Sequence, residues 1–518
     1  MTPRTRLLLG AAGGIAVVTL ASRVVGFGRV AVLSRTLGTS CVGDTYQAAN
    51  YLPNVVFEVV AGGALAALVV PLLAGALAGG DRETASRTAS ALLTWTVAVL
   101  VPVAMLGMLT APLLMRALLG DDPTCAGAVD VGSRMLVVFM PQVVLYGIGI
   151  VLAGILQAHR RFLGPALAPL LSSLVVISAY LLYASSGRVE SVEALSRSQE
   201  LVLAVGTTLG VAVLSLGLLV PLRGTGLRLR PTFGFPPGVA VRARRLAAGG
   251  VATLAAQQLA LVVALRLAAG GREGDVIVFT VATALFLLPW AVLAVPLATS
   301  AFPALSASAE AGNEEEYAEV AGRATRRVLL VTTGAAAVLA VAALPVAQLL
   351  VRGAPGVESS AELARATAAF APGLMGYGLV ALLVRALYAR GAARAATAAT
   401  VAGWLVVAVA DLVFVVSFPD ADRVLLLGAG NSIGVSVAGI LLLLGVRRSA
   451  GAPSLSGAGR SGAVAVVAAG IAVAAGLLVP DSGPVVVALV LNAGVATAAF
   501  LLVVRLLDPE SLQELVRA

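Results

Sequence analysis

The sequence predicts an all-α polytopic membrane protein. Of its 518 residues, 59% are hydrophobic and 12% charged. Mean hydropathy is +1.00, and apolar runs long enough to cross a bilayer recur from end to end. Soluble domains are about 45–50% apolar and about 25% charged, so this chain lacks the charge to coat soluble surfaces. A soluble enzyme and a disordered chain are both excluded. The runs show no period-2 alternation, which argues against a barrel.

A spanning helix needs about 20 mostly apolar residues. About 14 stretches meet that requirement: 7–36, 45–78, 87–115, 130–157, 162–185, 199–221, 244–268, 275–305, 324–351, 362–389, 395–418, 424–446, 461–479 and 483–506. The first follows a short basic start, Met1 to Arg6, as a signal peptide would. Its apolar run is long and no cleavage motif follows, so it reads as a retained span.

Charge sets the orientation. The net charge is +9, and every basic residue apart from His159 is arginine. With the N-terminus inside, loops on the inner side hold twenty arginines and the outer ones nine, the C-terminal tail excluded. That is the bias of cytoplasmic loops rather than of a nucleic-acid binder, and it places both termini in the cytoplasm. Acids such as Asp121, Asp122, Glu190, Glu193, Asp420 and Asp422 lie on the outer side. Cys41 and Cys125 are too few for a disulfide framework; both fall near outer-side helix ends, which leaves one bridge possible though not the favoured reading. One histidine and no Cys/His cluster give no zinc site.

Two polar stretches divide the chain as 6 + 6 + 2 spans. They give an N-lobe (1–222), a basic linker (223–243), a C-lobe (244–446), a Gly/Ser linker (447–460), and a final pair of spans with a tail (461–518). Leu52-Pro53 and Pro71 in the second span are echoed by Leu288-Pro289 and Pro303 in the eighth. Repeated halves are the usual build of secondary transporters.

Ionisable groups inside a span cost about 2.5–3.5 kcal/mol each and usually face a polar cavity. Arg23, Arg29, Glu58, Arg134 and Asp411 qualify. Arg23 and Arg29 flank Gly26 and Gly28; a guanidinium fork matches phosphate oxygens, and glycine permits close approach. Asn50, Asn54 and Glu58 recur every four residues and share one helix face, either lining a cavity or bonding to a neighbouring helix. Asp44 reads first as an N-cap of its own helix. Asp411, with Asn431 and Ser432 on the next span, is a candidate Na⁺ or H⁺ site. Arg134 reads as an interfacial anchor, and Gln257 and Gln258 as interhelical contacts. No hydrolase triad, P-loop or metalloprotease pattern occurs, so no enzymatic activity and no organic cofactor are expected.

Several blocks in order resemble one family. Ser22-Arg23-Val24-Val25-Gly26-Phe27-Gly28-Arg29 is similar to its S-R-V-L-G-F-x-R. Gly43-Asp44, Leu52-Pro53-Asn54 and Gly63-Ala64 follow its D-A-F…P-N…E-G-A block. Gly154 to Ala158, Arg161-Phe162 and Pro165 to Pro169 resemble its fourth-to-fifth helix junction, and Phe370 to Leu374 with Arg385 to Gly391 its tenth helix. The family is MurJ/MviN, lipid II flippases of the multidrug/oligosaccharidyl-lipid/polysaccharide exporter superfamily.

The resemblance implies two pseudo-symmetric six-helix lobes around a cationic cavity, plus two C-terminal helices forming a lipid-facing groove. It implies alternating access that moves an undecaprenyl-pyrophosphate-linked peptidoglycan precursor to the outer leaflet, in contact with membrane lipids and cell-wall synthesis enzymes. Arg23, Arg29 and Asp44 fall on its functional positions, and Asp411 on part of its sodium site. Three positions depart: Phe57 and Ala284 stand where the family has cavity arginines, and Gly62 where it has an acid. The seventh helix offers Val263-Ala264 in place of an oxygen ligand. Those departures keep open export of another lipid-linked glycan or a small cation, or a transport-inactive envelope scaffold.

Overall fold

The computed structural model describes residues 3–59, 66–120, 124–235, 239–352, 360–479 and 483–516. Side chains are described over the same ranges, apart from residues 3–13, 15, 16, 66–68, 78, 239–250 and 516. The described residues are helical with short turns and no strand. They fall into two compact units.

The first unit comprises residues 1–258 with 272–277 and 353–356. Its helices are α1 (Pro3–Thr36), α2 (Cys41–Phe57), α3 (Ala66–Ala78), α4 (Arg82–Leu109), α5 (Ala111–Leu119), α6 (Ala128–Phe139), α7 (Pro141–Ala158), α8 (Leu163–Ser185), α9 (Arg197–Leu216) and the short α10 (Leu219–Leu222). The first part of α11 (Val239–Ala269) also belongs here. Capping follows the local sequence. Ser40 accepts from Gly43 N at the start of α2, Asp81 from Thr84 N at α4, and Ser196 with Gln199 closes a capping box on α9. Each satisfies an orphan donor at a helix start. The core packs Val69, Leu73, Leu92, Leu152, Ile155 and Leu156 from α3, α4 and α7.

The second unit comprises 259–271, 278–352 and 357–518. It holds the rest of α11, most of α12 (Asp275–Pro289), a π-turn at Trp290–Ala294, α13 (Val295–Glu310), α14 (Glu314–Val351), α15 (Ser360–Phe370), α16 (Gly373–Ala389), α17 (Ala393–Ser417), α18 (Arg423–Ala450), α19 (Ala458–Leu477), α20 (Val485–Leu507) and α21 (Pro509–Val516). The final pair packs on α14 through Val341, Ala468, Ala472, Ala496 and Phe500. The end of the chain is tied to the same helix, where Arg326 forms a two-pronged bond to Glu514 and donates to Ser456 O at 2.7 Å.

Among the described residues twelve helices are long and apolar enough to cross a membrane, or thirteen if α15 and α16, bent by 44°, make one span. The expected span 45–78 holds α2 and α3 at its ends, and 60–65, including Gly62, lie outside the described residues. α2 runs through Pro53 without a break and passes into a π-turn at Glu58 and Val59.

Two features depart from the sequence reading. Cys41 and Cys125 form a disulfide, with Cα atoms 5.5 Å apart and 84 residues between them in sequence. Counting cysteines could not show that the turn before α6 lies against the start of α2. Closing so long a loop contributes about 2–4 kcal/mol. Reduction is expected to expose two alkylatable thiols and lower the thermal midpoint, read by mass shift and by thermal unfolding of the purified protein.

The second is the basic linker, which is no loose loop. After a 3₁₀ turn at Arg223–Thr225, it runs in irregular structure along α4. The backbone N–H groups of Arg228, Arg230 and Thr232 donate to Ser86, Ser90 and Thr94 at 3.3, 3.0 and 3.0 Å. Trp95 donates to Phe233 O at 3.1 Å, and the two rings meet edge to face. Two residues of extended chain cover about 6.6 Å and four of helix about 6.0 Å, so hydroxyls spaced i, i+4, i+8 meet every second amide. Replacing Ser90 and Thr94 together with alanine is expected to make the segment 226–235 sensitive to limited proteolysis while the helices remain intact.

Candidate functional site

On α1, Ser22 donates to Ala166 O at 2.9 Å and fixes that helix against α8. Arg23 and Arg29 are exposed side chains on the same helix. Neither pairs with a carboxylate among the described residues. A bond from Arg29 to Glu58, the bland account of an arginine in a span, is therefore not made. The charge of Arg29 lies within electrostatic reach of the hydroxyls of Tyr46, Tyr146 and Tyr180. Tyr46 is fully buried and bonds Tyr180 at 2.9 Å and Thr207 at 2.6 Å. An exposed arginine with no carboxylate partner among the described residues is a fixed cation that can receive an anion.

The polar face of α2 is only partly self-satisfied. Asn54 donates to Asn50 O at 2.7 Å, whereas Asn50 Oδ1 is buried with no partner. Glu58, at the π-turn, is partly exposed and acts electrostatically on Tyr146. Phe57 lies with its ring 4.6 Å from that of Tyr146.

Asp44 corrects the sequence reading. Ser40, not Asp44, caps α2. The buried Asp44 carboxylate instead accepts from Gly274 N at 2.8 Å and Ile277 N at 3.0 Å, so it caps the start of α12, a helix more than two hundred residues away in sequence. Cys41 N adds a bond to Glu273 at 2.9 Å. Gly274 has φ +91, and a Cβ there would stand 2.4 Å from Thr39, so only glycine fits the corner. The disulfide, the cap and this glycine hold one tight junction between the first turn of α2 and the segment 272–277.

Arg134 is not a free anchor. It forms a two-pronged bond with Glu200, which is buried and also pairs with Arg197. His159 bonds Ile155 O in its own helix at 2.8 Å, and among the described residues no cluster could hold a multidentate metal ion. Gln258 is buried. A further charge within a span is Arg385, a half-buried side chain on α16 that donates to Ala381 O one turn back; it sits among apolar residues and was not singled out from the sequence.

In the second unit Asp411 is 1% exposed, and neither carboxylate oxygen has a partner. It lies against Gly430 on α18, where a Cβ would stand 2.0 Å from Oδ1. Asn431 follows, with its Nδ2 also buried and unpartnered. Ser432 is committed elsewhere: its hydroxyl donates to Ala369 O at 2.7 Å and accepts from Gly373 N at 3.1 Å, bridging the bend between α15 and α16. Val263 and Ala264 of α11 supply packing and no side-chain oxygen. Ala284 lies on α12, partly buried.

Comparison with known proteins fits this architecture. The family model described as lipid II flippase MurJ matches residues 33–493. A probable lipid II flippase MurJ of Rhizobium tropici is 29% identical over 380 residues, covering 72% of this chain and 69% of its own. The lipid II flippase MurJ of Burkholderia cenocepacia is 28% identical over 440 residues, covering 83% and 82%. Among solved structures, an inward closed lipid II flippase MurJ superposes with a TM-score of 0.77 at 15% identity, over 96% of this chain and 99% of that one. An inward-facing MATE-family transporter gives 0.69 at 18% identity, over 85% and 99%; at those identities both speak for the fold alone. The chain is a multi-pass membrane protein, and with a match across most of its length it belongs to the MurJ family of lipid II flippases.

Proposed function

We propose that this chain carries a lipid-linked peptidoglycan precursor, the lipid II for which its relatives are named, from the inner to the outer leaflet. In this reading it works by alternating access, the lipid tail stays in the bilayer, and no catalytic step is involved. The supporting observation is Arg29, a guanidinium in a spanning helix that takes no carboxylate partner and acts on three tyrosines of the unit interior. A permanent cation held that way is stabilised by an anion that passes it, and a pyrophosphate presents oxygens at the spacing of the guanidinium fork. The test is rescue of a strain depleted of its own lipid II flippase. Growth restored by this chain supports the reading; no rescue despite normal membrane insertion overturns it and leaves a scaffold or a different cargo.

Orientation belongs to the same proposal, with both termini cytoplasmic and Arg82, Arg161, Arg223 and Arg447 on the inner side. Among the described residues no cysteine is free, so an introduced cysteine is the sole reactive thiol. A membrane-impermeant maleimide added to intact spheroplasts is expected to label Ser191→Cys and to spare Ser449→Cys until the membrane is opened.

Asp411 is proposed as the residue that takes a coupling cation. Two carboxylate oxygens and the amide of Asn431, next in sequence to Gly430 and with interchangeable O and N assignment, are the candidate oxygen ligands to Na⁺, and the carboxylate alone suffices for H⁺. Burial without a partner is costly for a carboxylate, and a cation removes that cost. Asp411→Asn is expected to leave the protein folded and abolish the dependence of transport on a Na⁺ or H⁺ gradient, measured in vesicles with each gradient imposed separately. The reading also places the chain among cell-wall synthesis enzymes, testable by pull-down.

A further inference from the structure

The two units share a repeat that the prolines only hint at. Phe139-Met140-Pro141 with Tyr146-Gly147 on the fourth expected span returns 231 residues later as Phe370-Ala371-Pro372 with Tyr377-Gly378 on the tenth. Each tyrosine stacks on an aromatic ring from the second helix of its own half. Tyr146 meets Phe57 at 4.6 Å with the rings 33° apart. Tyr377 meets Trp290 at 4.7 Å, again at 33°.

The likeness is confined to the stack. Around Tyr377 stand Phe286, at 5.8 Å, and Trp404, edge-on at 6.1 Å. Tyr146 instead has Glu58 and Arg29 within electrostatic reach. In both units the second-helix ring is at a π-turn: Phe57 immediately before Glu58 and Val59, and Trp290 opening the turn at Trp290–Ala294. A π-turn re-aims a side chain and commonly marks a functional position.

Aromatic residues make up only 5% of the chain, and other ring contacts, such as Tyr46 with Phe139 and Phe279 with Phe370, join buried side chains. All four rings of the two stacks remain partly exposed. Tyr146, Trp290 and Tyr377 lie near the middle of their expected spans, the depth at which transporters bind cargo.

We propose that these pairs, Phe57–Tyr146 in one unit and Trp290–Tyr377 in the other, are stacking platforms for pyranose rings of the cargo headgroup. This rests on the flippase reading above and gives the sugar its own recognition, separate from the pyrophosphate. One face of a pyranose is a patch of C–H bonds carrying slight positive charge, which suits the negative face of an aromatic ring. The hydroxyls around the ring edge then need donors and acceptors. Glu58, next to Phe57 in sequence and partly exposed, offers acceptor oxygens in the first unit. Sites of this kind join apolar plates with a few fixed polar groups.

The test compares two lipids on the purified full-length chain in nanodiscs: lipid II, and undecaprenyl pyrophosphate, which has the same tail and pyrophosphate but no sugar. Tyr146→Leu and Tyr377→Leu are each expected to weaken lipid II binding about tenfold, the scale of one lost ring contact and its burial. Undecaprenyl pyrophosphate binding should change by less than about twofold. Tyr146→Phe and Tyr377→Phe, which keep the plate, should bind both lipids as the parent does.

A second readout uses the parent fold. In a chain carrying Trp95→Phe and Trp404→Phe, Trp290 is the remaining tryptophan, since the sequence has three. Its emission should shift with lipid II and not with undecaprenyl pyrophosphate. Equal weakening toward both lipids, or no weakening together with silent emission, overturns the platforms while leaving the flippase reading intact. A parent chain that binds neither lipid overturns both.

Discussion

Arg29→Ala is expected to abolish rescue of a flippase-depleted strain while the protein still accumulates in the membrane. The guanidinium takes no carboxylate within the described fold, so its removal strands no buried anion and stability should hold. What is lost is a charge-assisted bond to the cargo, about 1.5–3 kcal/mol, or roughly tenfold to a hundredfold in affinity. Arg29→Lys keeps the charge but not the fork and should retain only part of the activity. Arg134→Ala is the informative contrast. It removes one of two arginines from the buried Glu200 and should lower the thermal midpoint, with transport by the surviving folded protein little changed. Growth rescue, vesicle translocation and thermal unfolding on the same three variants separate these outcomes.

Asp44→Ala is expected to cost both stability and transport. Two backbone N–H groups at the start of α12, those of Gly274 and Ile277, lose their acceptor inside the protein. Each unmet buried donor costs about 1–3 kcal/mol, and the positive end of the α12 dipole loses its countercharge. Asp44→Asn keeps an acceptor oxygen and should sit between the parent and alanine in thermal midpoint. Limited proteolysis should show the segment 272–277 opening first, with the neighbouring disulfide still closed. If Asp44→Ala unfolded at the parent's temperature and translocated lipid normally, the junction would have no part in either stability or transport.

Much of the architecture was legible because a bilayer leaves so few choices. Long apolar runs had to be helices, and arginines between them marked one side. The family blocks were legible for the same reason that Ser22 bonds α8: residues that break the apolar monotony are held there by specific contacts. What escaped was every relation between distant segments. Asp44 looks like a cap for its own helix because Ser40 and Asp44 are both good caps, and nothing local shows a second helix start beside it. Cys41 and Cys125 are 84 residues apart, and spacing does not reveal proximity. Ser432 reads as an oxygen ligand beside Asp411, yet its hydroxyl serves a bend in the chain. The tyrosine stacks could have been found from sequence, since the Phe-x-Pro-x₄-Tyr-Gly repeat is plain once the halves are aligned. Apolar and aromatic residues in spans carry no insertion cost, whereas charged ones do, so only the charges stand out in the sequence.

The segment clipped to α4 has one further property. Its amides engage a row of hydroxyls at even intervals, and Trp95 closes the row on Phe233 O. A shift of one notch, two residues against four, would have to break all four bonds together before any could re-form, each worth about 0.5–1.5 kcal/mol. The even spacing therefore acts as a register lock, fixing which stretch of the connector lies against the helix.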